Sequence, residues 1–355
     1  MHSRSRTLLV VVSFCLLGLG IVPARATAFT WTGLGSSDGT WIDPDNWSGG
    51  SGYPGPLPFS NDTVLFPALS QRYSLRVPIT GGGIFASSIT FAGPVFEGHV
   101  YSMWVQGDIY VAGGIAATSA TAPDLDVDGF LAFTGSATVR NLTGSGNVRS
   151  YYPGPATLTV LGNSSNFAGT LGDWDPSAPL SLMVGAGSTL TLGGSNTYTG
   201  ATTINGGTLV VDGSLGSAVA INDGGTLAPG NGQLTLLSGL TMTSGSTLEM
   251  EFGGLGLFDQ LDVQGVFAAG GTLDLNLIGG YTPTPGDSFA IFNGATPGYD
   301  SGSFAITTNL GGGLSWDTSA LASTGVVSVV PEPSTCAIVV VALLGGIVLL
   351  RWRRA

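Results

Sequence analysis

The feature that most constrains this chain is a short motif that returns along its middle at intervals of roughly 20 residues. In each copy a Gly stands shortly before a Thr, and an apolar residue follows the Thr. Internal repeats of about 20 to 50 residues are typical of solenoids, in which each coil buries its apolar face against its neighbours. The motif positions are Thr138, Thr157, Thr189, Thr208, Thr226, Thr247 and Thr272, with Thr170 inside the longest interval.

Around this motif apolar and polar residues alternate, as they do in strands with one buried face. We expect the Leu, Met and Phe side chains of these segments to point inward and the Thr, Glu and Asp side chains to point outward. Gly pairs beside them are expected to form left-handed corners between faces. The segments are 189–192, 208–211, 247–252 and 272–277. The Gly pairs are 193–194, 206–207, 224–225 and 270–271.

These patterns decide between two all-β architectures. The 58 Gly and 19 Pro among 355 residues exclude a mainly helical globule. A sandwich of antiparallel hairpins also needs many strands and turns, but the short repeat favours a parallel β-helix over it. We therefore predict an all-β fold with a Gly-rich parallel β-helix, or β-solenoid, as its body.

Charge and residue usage exclude several classes of function. All ten basic residues are Arg, and residues 29–330 hold four of them against 21 acids, a net charge of −17. Such a body argues against nucleic acid as a partner. It also contains one His, His99, and neither Lys nor Cys, which excludes Ser-Lys dyads, Schiff bases, thiol nucleophiles and zinc sites built from several Cys or His. We expect a non-enzymatic protein with no required cofactor.

The N-terminus has the three parts of a secretory signal peptide. Arg4 and Arg6 precede an apolar run over 8–22, and small residues follow it. Ala26 and Ala28 mark two alternative cleavage positions. The competing interpretation, an uncleaved membrane anchor, fits less well because the apolar run is short.

The C-terminus combines a polar break, an apolar run and a basic end. Pro331, Glu332 and Pro333 precede an apolar stretch that reaches residue 350 and predicts a single transmembrane helix. Arg351, Arg353 and Arg354 follow it and, by the positive-inside rule, face the cytoplasm, which leaves the body on the exported side. A plain tail anchor is the alternative, because Pro often precedes membrane helices as a helix breaker.

In this order, residues 331–355 resemble the PEP-CTERM sorting signal of exported Gram-negative proteins. The resemblance implies a secretion translocon and an exosortase-type membrane protease as partners. It also implies transient anchoring in the inner membrane with the body in the periplasm, then delivery to the cell surface or an exopolysaccharide-rich biofilm matrix. Residues 194–211 are similar to the autotransporter-associated β-strand repeat, through Asn196, Tyr198, Gly200 and the run Asn-Gly-Gly-Thr-Leu at 205–209. A weaker copy occupies 166–171.

One group of acidic residues is a candidate site for metal binding or catalysis. Asp124, Asp126 and Asp128 alternate with apolar residues and should share one face of a strand. We weigh three interpretations: a solvated strand face, which is the ordinary outcome of alternation, weak Ca²⁺ binding, and catalysis. The alternative function is a β-helix polysaccharide lyase or hydrolase that uses these carboxylates for Ca²⁺ or acid/base work, with Arg149 as its positive group.

We divide the chain into five parts. Residues 1–28 form the signal peptide, and 29–135 an N-terminal cap with the first coils. The repeat solenoid covers 136–280, a C-terminal β closure 281–330 and the sorting signal 331–355. Trp31, Trp41 and Trp47 are assigned to the cap in preference to a sugar-stacking surface, since a solenoid must cover its end coil. The expected function is an exported structural or adhesive protein of the cell surface or extracellular matrix, with exopolysaccharide as a candidate partner.

Overall fold

The computed structural model describes residues 122–293 and 304–332 and, before them, the stretches 28–31, 47–49, 63–66, 73–77, 84–86, 88–91, 101–105, 108–111 and 115–117. The predicted transmembrane helix, the Arg-rich tail, Pro333, Ala26 and His99 lie outside these residues. Among the residues described, no helix has the length and hydropathy needed to cross a membrane.

Short strands make up nearly all the regular structure. The first twelve are β1 (Ala28–Trp31), β2 (Trp47–Ser48), β3 (Thr63–Phe66), β4 (Tyr73–Val77), β5 (Ile84–Ala86), β6 (Ser88–Phe91), β7 (Tyr101–Val105), β8 (Asp108–Val111), β9 (Ile115–Ala116), β10 (Asp124–Val127), β11 (Phe130–Phe133) and β12 (Gly135–Val139). The next twelve are β13 (Leu142–Gly144), β14 (Asn147–Ser150), β15 (Ala156–Val160), β16 (Ser165–Phe167), β17 (Thr170–Gly172), β18 (Leu180–Val184), β19 (Thr189–Leu192), β20 (Ser195–Asn196), β21 (Thr202–Ile204), β22 (Thr208–Leu215), β23 (Val219–Ile221) and β24 (Thr226–Leu236). The last elements are β25 (Leu240–Met242), β26 (Thr247–Gly254), β27 (Leu257–Phe258), β28 (Gln260–Val263), β29 (Phe267–Ala268), β30 (Thr272–Leu277), β31 (Ser288–Ala290), β32 (Phe292–Asn293), β33 (Ala305–Thr308), β34 (Leu314–Asp317), α1 (Leu321–Thr324) and β35 (Val326–Pro331).

The strands assemble into three long sheets and one short one. Sheet 1 has the order β2-β1-β3-β6-β9-β12-β15-β18-β21-β23-β25-β29, and sheet 2 runs β33-β30-β26-β24-β22-β19-β16-β13-β10-β7-β4 with β20, β27, β28 and β32 attached. Sheet 3 is β17-β14-β11-β8-β5, and sheet 4 is β31-β35-β34. In the described parts of sheets 1 to 3 all pairs are parallel except β1–β2 and β26–β27. This arrangement confirms an all-β fold with the parallel sheets of a β-helix.

One coil visits the three long sheets in turn. Strands β12, β13 and β14 lie on sheets 1, 2 and 3, and β15, β16 and β17 repeat the circuit one layer on. Beyond β17 the third side continues as β20, the second halves of β22 and β24, and then β28 and β32. Strands β22 and β24 reach 8 and 11 residues because each runs on from sheet 2 into this side. The later coils therefore keep three sides, although two of their corners lie inside continuous strands.

The register confirms the Thr repeat over five of its positions. Thr189, Thr208, Thr226, Thr247 and Thr272 pair successively along sheet 2. The other three positions do not continue this register. Thr138 and Thr157 lie on sheet 1 out of register with each other, because Thr138 pairs with Thr159, and Thr170 lies on sheet 3. The same motif, a Gly followed by an outward-facing Thr, occurs in strands of all three long sheets. The motif alone therefore does not tell which sheet a strand belongs to.

The predicted inward residues form a continuous core. Leu190, Leu248, Met250, Phe252 and Leu273 are fully buried, whereas their Thr, Glu and Asp neighbours are partly exposed. The Gly pairs act as predicted at the corners: Gly206 has a left-handed φ of 77°. Its neighbour Gly207 allows two coils to approach, since a Cβ there would stand 2.3 Å from the carbonyl oxygen of Gly185.

Different pairing marks the two ends of the described body. At the first end, antiparallel β2 lies beside β1, and the rings of Phe29 and Trp47 meet edge to face with centroids 6.4 Å apart. At the other end, sheet 4 is antiparallel, and Phe289 packs against Phe252 and Trp316 with centroids 4.9 and 5.8 Å away. The boundaries drawn from the sequence remain predictions.

Candidate functional site

The predicted aspartates lie at one side of the first coils. In β10, Leu125 and Val127 are buried while Asp124 and Asp126 face outward, as the alternation predicts. Asp128 lies in the bend after the strand and is exposed. The three residues therefore follow one another along sheet 2 toward its corner with sheet 3.

Two of the carboxylates accept hydrogen bonds from residues of the next coil. Asp124 forms an ion pair with Arg140, whose Nε donates to Oδ1 at 2.8 Å and whose Nη2 donates to Oδ2. Asn141 Nδ2 donates to the same Oδ1 at 2.8 Å. Asp128 Oδ1 accepts hydrogen bonds from the amide and the hydroxyl of Ser145, both at 3.2 Å. These hydrogen bonds and the ion pair connect successive coils.

Asp126 has a different electrostatic environment. Partial burial and the nearby Asp128 charge raise the pKa of the Asp126 carboxyl, and a hydrogen bond from the Thr143 hydroxyl opposes that rise. Within the part of the chain that the structure describes, no three or more acidic, His or Cys side chains gather as a metal site would require. Ca²⁺ binding by Asp124, Asp126 and Asp128 stays an untested prediction.

Arg149 does not lie beside Asp124, Asp126 and Asp128. It lies in β14 on sheet 3, and its Nη1 donates to the carbonyl oxygen of Asp173 at 3.1 Å. Arg140 is the arginine that the fold places against Asp124. Arg149, which the lyase alternative assigns as its positive group, therefore lies on a different sheet from the aspartates, and the alternative itself stays untested.

The side chains of the repeat motif serve the coil itself. Asn196 Oδ1 accepts from the Leu171 amide at 2.9 Å, and its Nδ2 donates to the Gly193 carbonyl at 3.1 Å. At Gly200 a Cβ would stand 2.3 Å from the Leu180 carbonyl oxygen, so that only Gly permits the observed approach.

Tyr198, also in the motif, belongs to a buried hydroxyl chain. Its hydroxyl lies 2.6 Å from Thr202 Oγ1, which lies 2.6 Å from Ser217 Oγ. Burial raises the pKa of Tyr198 to about 12, and the two hydrogen bonds act against that rise. The tyrosine is therefore neutral at physiological pH and satisfies polar groups inside the core, where an unpaired hydroxyl would be costly.

One comparison with known proteins gives a match over the segment that contains this motif. Residues 185–211 match the family model described as the passenger-associated transport repeat. The matched span contains β19, β20, β21 and the first half of β22, which is about one coil. No curated protein and no solved structure matches the chain. The match covers about one coil, and together with the parallel sheets it indicates a β-helix similar to those that carry this repeat.

Sequence reasoning missed an aromatic cluster beside sheet 3, which consists of Phe130, Tyr151 and Trp174, with Tyr152 next to Tyr151 in the chain. The Trp174 ring meets Phe130 and Tyr151 edge to face, with centroids 5.8 and 5.6 Å away. The offset of 23 residues that pairs Arg149 with Gly172 also separates Tyr151 from Trp174. The sequence does show two aromatic residues 23 positions apart. They could have been predicted to be neighbours only if the length of the local coil had been known.

A second missed feature is the nearly buried carboxyl of Asp259, which is 4% exposed. Burial raises its pKa to about 7; the amide of Glu251, which donates to Oδ2 at 2.8 Å, lowers it, and the charges of Glu251 and Glu249 raise it further. This group exchanges its proton near neutral pH. It lies at the base of the β26–β27 hairpin, where its own amide donates to the Glu251 carbonyl at 2.9 Å.

Proposed function

We propose that this chain is an exported, non-enzymatic structural or adhesive protein of the cell surface or extracellular matrix, sorted through its C-terminal signal. The observation that carries the proposal is a transport-type repeat embedded in a continuous parallel β-helix. In this account the body is a stiff spacer, and the sorting signal at residues 331–355 delivers it outward through a translocon and an exosortase-type protease.

The use of polar side chains supports a structural role. Asp173 receives hydrogen bonds from the amide of Leu180 at 2.7 Å and from the amide and hydroxyl of Thr199 at 3.0 and 2.7 Å. Asp223 likewise accepts from the Thr243 hydroxyl at 2.6 Å and from the Gly245 amide at 3.1 Å. These carboxylates hold one coil to the next, and such contacts stiffen a rod.

The position of the sorting motif also supports the proposal. Pro331 is the last residue of β35, where it pairs with Leu314, and the Glu332 amide donates to the Gly313 carbonyl at 2.8 Å. The folded body thus extends to the first two residues of the motif. Cleavage of the mature protein is accordingly expected after Glu332, because a protease needs extended, accessible backbone.

Cell fractionation with intact-mass measurement tests this function. Cells with and without the membrane protease implied by the resemblance would be compared. A species that ends between Pro333 and Thr335 and is recovered outside the inner membrane supports sorted delivery. A full-length species that retains Arg354 in the inner membrane in both strains would overturn it and identify a tail-anchored protein.

A pair of variants sharpens the experiment. Replacing Glu332 and Pro333 by Ala should leave the protein full length in the inner membrane, since the recognition tripeptide is lost. The matched control is the Pro283→Ala, Pro285→Ala double variant, which alters another Pro-x-Pro triplet inside the body. Normal processing of both double variants would contradict recognition of the tripeptide.

A further inference from the structure

The aromatic cluster presents two large rings to solvent on the loops that follow β14 and β17. Trp174 is 48% exposed and Tyr152 is 59% exposed, although both are large aromatic side chains. Exposed aromatics that group together on a surface usually mark a binding function. Phe130 and Tyr151 are partly buried and support Trp174 through edge contacts.

The loop that carries Trp174 is held rigidly. The Trp174 amide donates to the buried Ser150 hydroxyl oxygen at 3.1 Å. On one side Asp173 is fixed by Arg149, Leu180 and Thr199. On the other side Asp175 Oδ1 accepts from the amide and hydroxyl of Ser177 at 2.8 and 2.5 Å, which closes a tight turn. The indole is therefore presented by preorganised backbone, so that little ordering entropy is lost when a ligand binds.

Polar groups lie on sheet 3 and on the loop that carries Trp174. Gly172 has no side chain, and a Cβ there would stand 3.7 Å from the guanidinium carbon of Arg149, so the guanidinium lies along sheet 3 near the start of the Trp174 loop. Thr170 and Asn147 are on the same sheet, with the Thr170 hydroxyl donating to Asn147 Oδ1 at 2.6 Å. The Ser177 hydroxyl and amide lower the pKa of the Asp175 carboxyl through their hydrogen bonds to it.

We propose that this cluster binds a neutral polysaccharide, with the face of a pyranose ring stacked on Trp174 and its hydroxyl groups hydrogen-bonded to these polar groups. A sugar ring offers an apolar face bordered by hydroxyls, which matches a rigid aromatic near guanidinium, hydroxyl and carboxylate groups. A protein partner would favour a broader apolar surface than these rings provide.

Charge selects the class of polysaccharide. The chain has a formal net charge of −12, so a polymer of uronate or sulfate groups would be repelled at long range. A neutral glycan avoids that repulsion. The inference deepens the proposed function, because it names the matrix component that the rod would hold.

Native affinity electrophoresis of the full chain in mild detergent tests the proposal. Gels would contain hydroxyethyl cellulose, galactomannan or, as the anionic probe, alginate. Wild type should be retarded by at least one neutral polymer and not by alginate. Trp174→Ala should weaken this binding by about tenfold or more, and Trp174→Phe should retain part of it.

Leu257→Ala is the matched control, because Leu257 is a 65% exposed apolar residue on the β26–β27 hairpin. It should bind as wild type does, and all variants should have the same melting temperature by circular dichroism. The proposal is overturned by absence of retardation in every neutral gel, by preference for alginate, or by unchanged binding of Trp174→Ala. A dimer that Trp174→Ala dissociates would instead identify a self-association surface.

The experiments distinguish failure of the glycan-binding proposal from failure of the proposed sorting to the cell surface. Loss of retardation with normal outward delivery would refute glycan binding alone. Retardation by a protein that stays full length in the inner membrane would refute sorted delivery alone.

Discussion

At the scale of single residues, the fold uses polar side chains mostly to join coils. The Asp124–Arg140 pair illustrates what sequence could and could not provide. Alternation correctly predicted that Asp124 and Asp126 face outward, because side-chain direction in a strand has a period of two. The partner was missed because it comes from the next coil, and coil length varies: Leu125 pairs with Leu142, whereas Thr143 pairs with Asn166.

Asp259 gives a residue-scale prediction with a defined sign. Its folded pKa of about 7 lies above the ordinary value of 3.8 for an aspartate, so the native state retains a proton that the unfolded chain has released. Its contribution to stability is complete below about pH 4 and is lost as pH rises through about 7. Within that window the unfolding free energy should fall by up to about 1.4 kcal/mol per pH unit from this group.

Asp259→Asn should remove this slope, because the amide resembles the protonated acid and keeps an acceptor for the Glu251 amide. Urea unfolding between pH 5 and 8.5 measures it. Gln260→Ala, which alters a neighbouring group that does not titrate, is the control and should keep the wild-type slope. A slope in Asp259→Asn equal to that of wild type would show that the Asp259 carboxyl does not titrate with a raised pKa.

At the scale of elements, coil corners depend on close backbone approach. Gly207→Ala should destabilise the body by about 2 kcal/mol or more, since the added Cβ would stand 2.3 Å from the Gly185 carbonyl oxygen and force the coils apart. Gly256→Ala is the control, because a Cβ there meets nothing within 4 Å. Equal unfolding midpoints in urea for the two variants would contradict the described packing.

The first strand bears on the end of the mature chain. Ala28 belongs to β1 and pairs with Thr63. Cleavage after Ala28 would remove that residue from the sheet, whereas cleavage after Ala26 leaves the strand complete. We therefore expect the exported protein to begin at Thr27, as measured by mass spectrometry of its N-terminal peptide. A peptide that begins at Phe29 would contradict this preference.

At the scale of the whole molecule, the sequence predicted the class of fold better than its details. The repeat and the alternation sufficed for a parallel β-helix, because both follow from burying one face of each strand. They did not reveal that β22 and β24 each run on from sheet 2 into the third side, which depends on how far each chain segment extends before it turns. The aromatic cluster was missed for the same reason, since Tyr151 and Trp174 become neighbours only through a coil of 23 residues.

The parallel register along sheet 2 is the claim on which the other conclusions depend. Thr189, Thr208, Thr226, Thr247, Thr272 and Ala305 succeed one another in it. Neighbouring strands lie about 4.8 Å apart, so the backbones at Thr189 and Thr272 should be separated by about 19 Å and those at Thr189 and Ala305 by about 24 Å.

Pulsed electron paramagnetic resonance tests this register most directly. Nitroxide labels would be attached through Thr189→Cys with Thr272→Cys, and through Thr189→Cys with Ala305→Cys, in a chain whose Cys15 and Cys336 are replaced by Ser. The parallel β-helix predicts that the second distance exceeds the first by one strand spacing, about 5 Å. Equal distances, or a shorter second distance, would contradict it and favour an antiparallel sandwich.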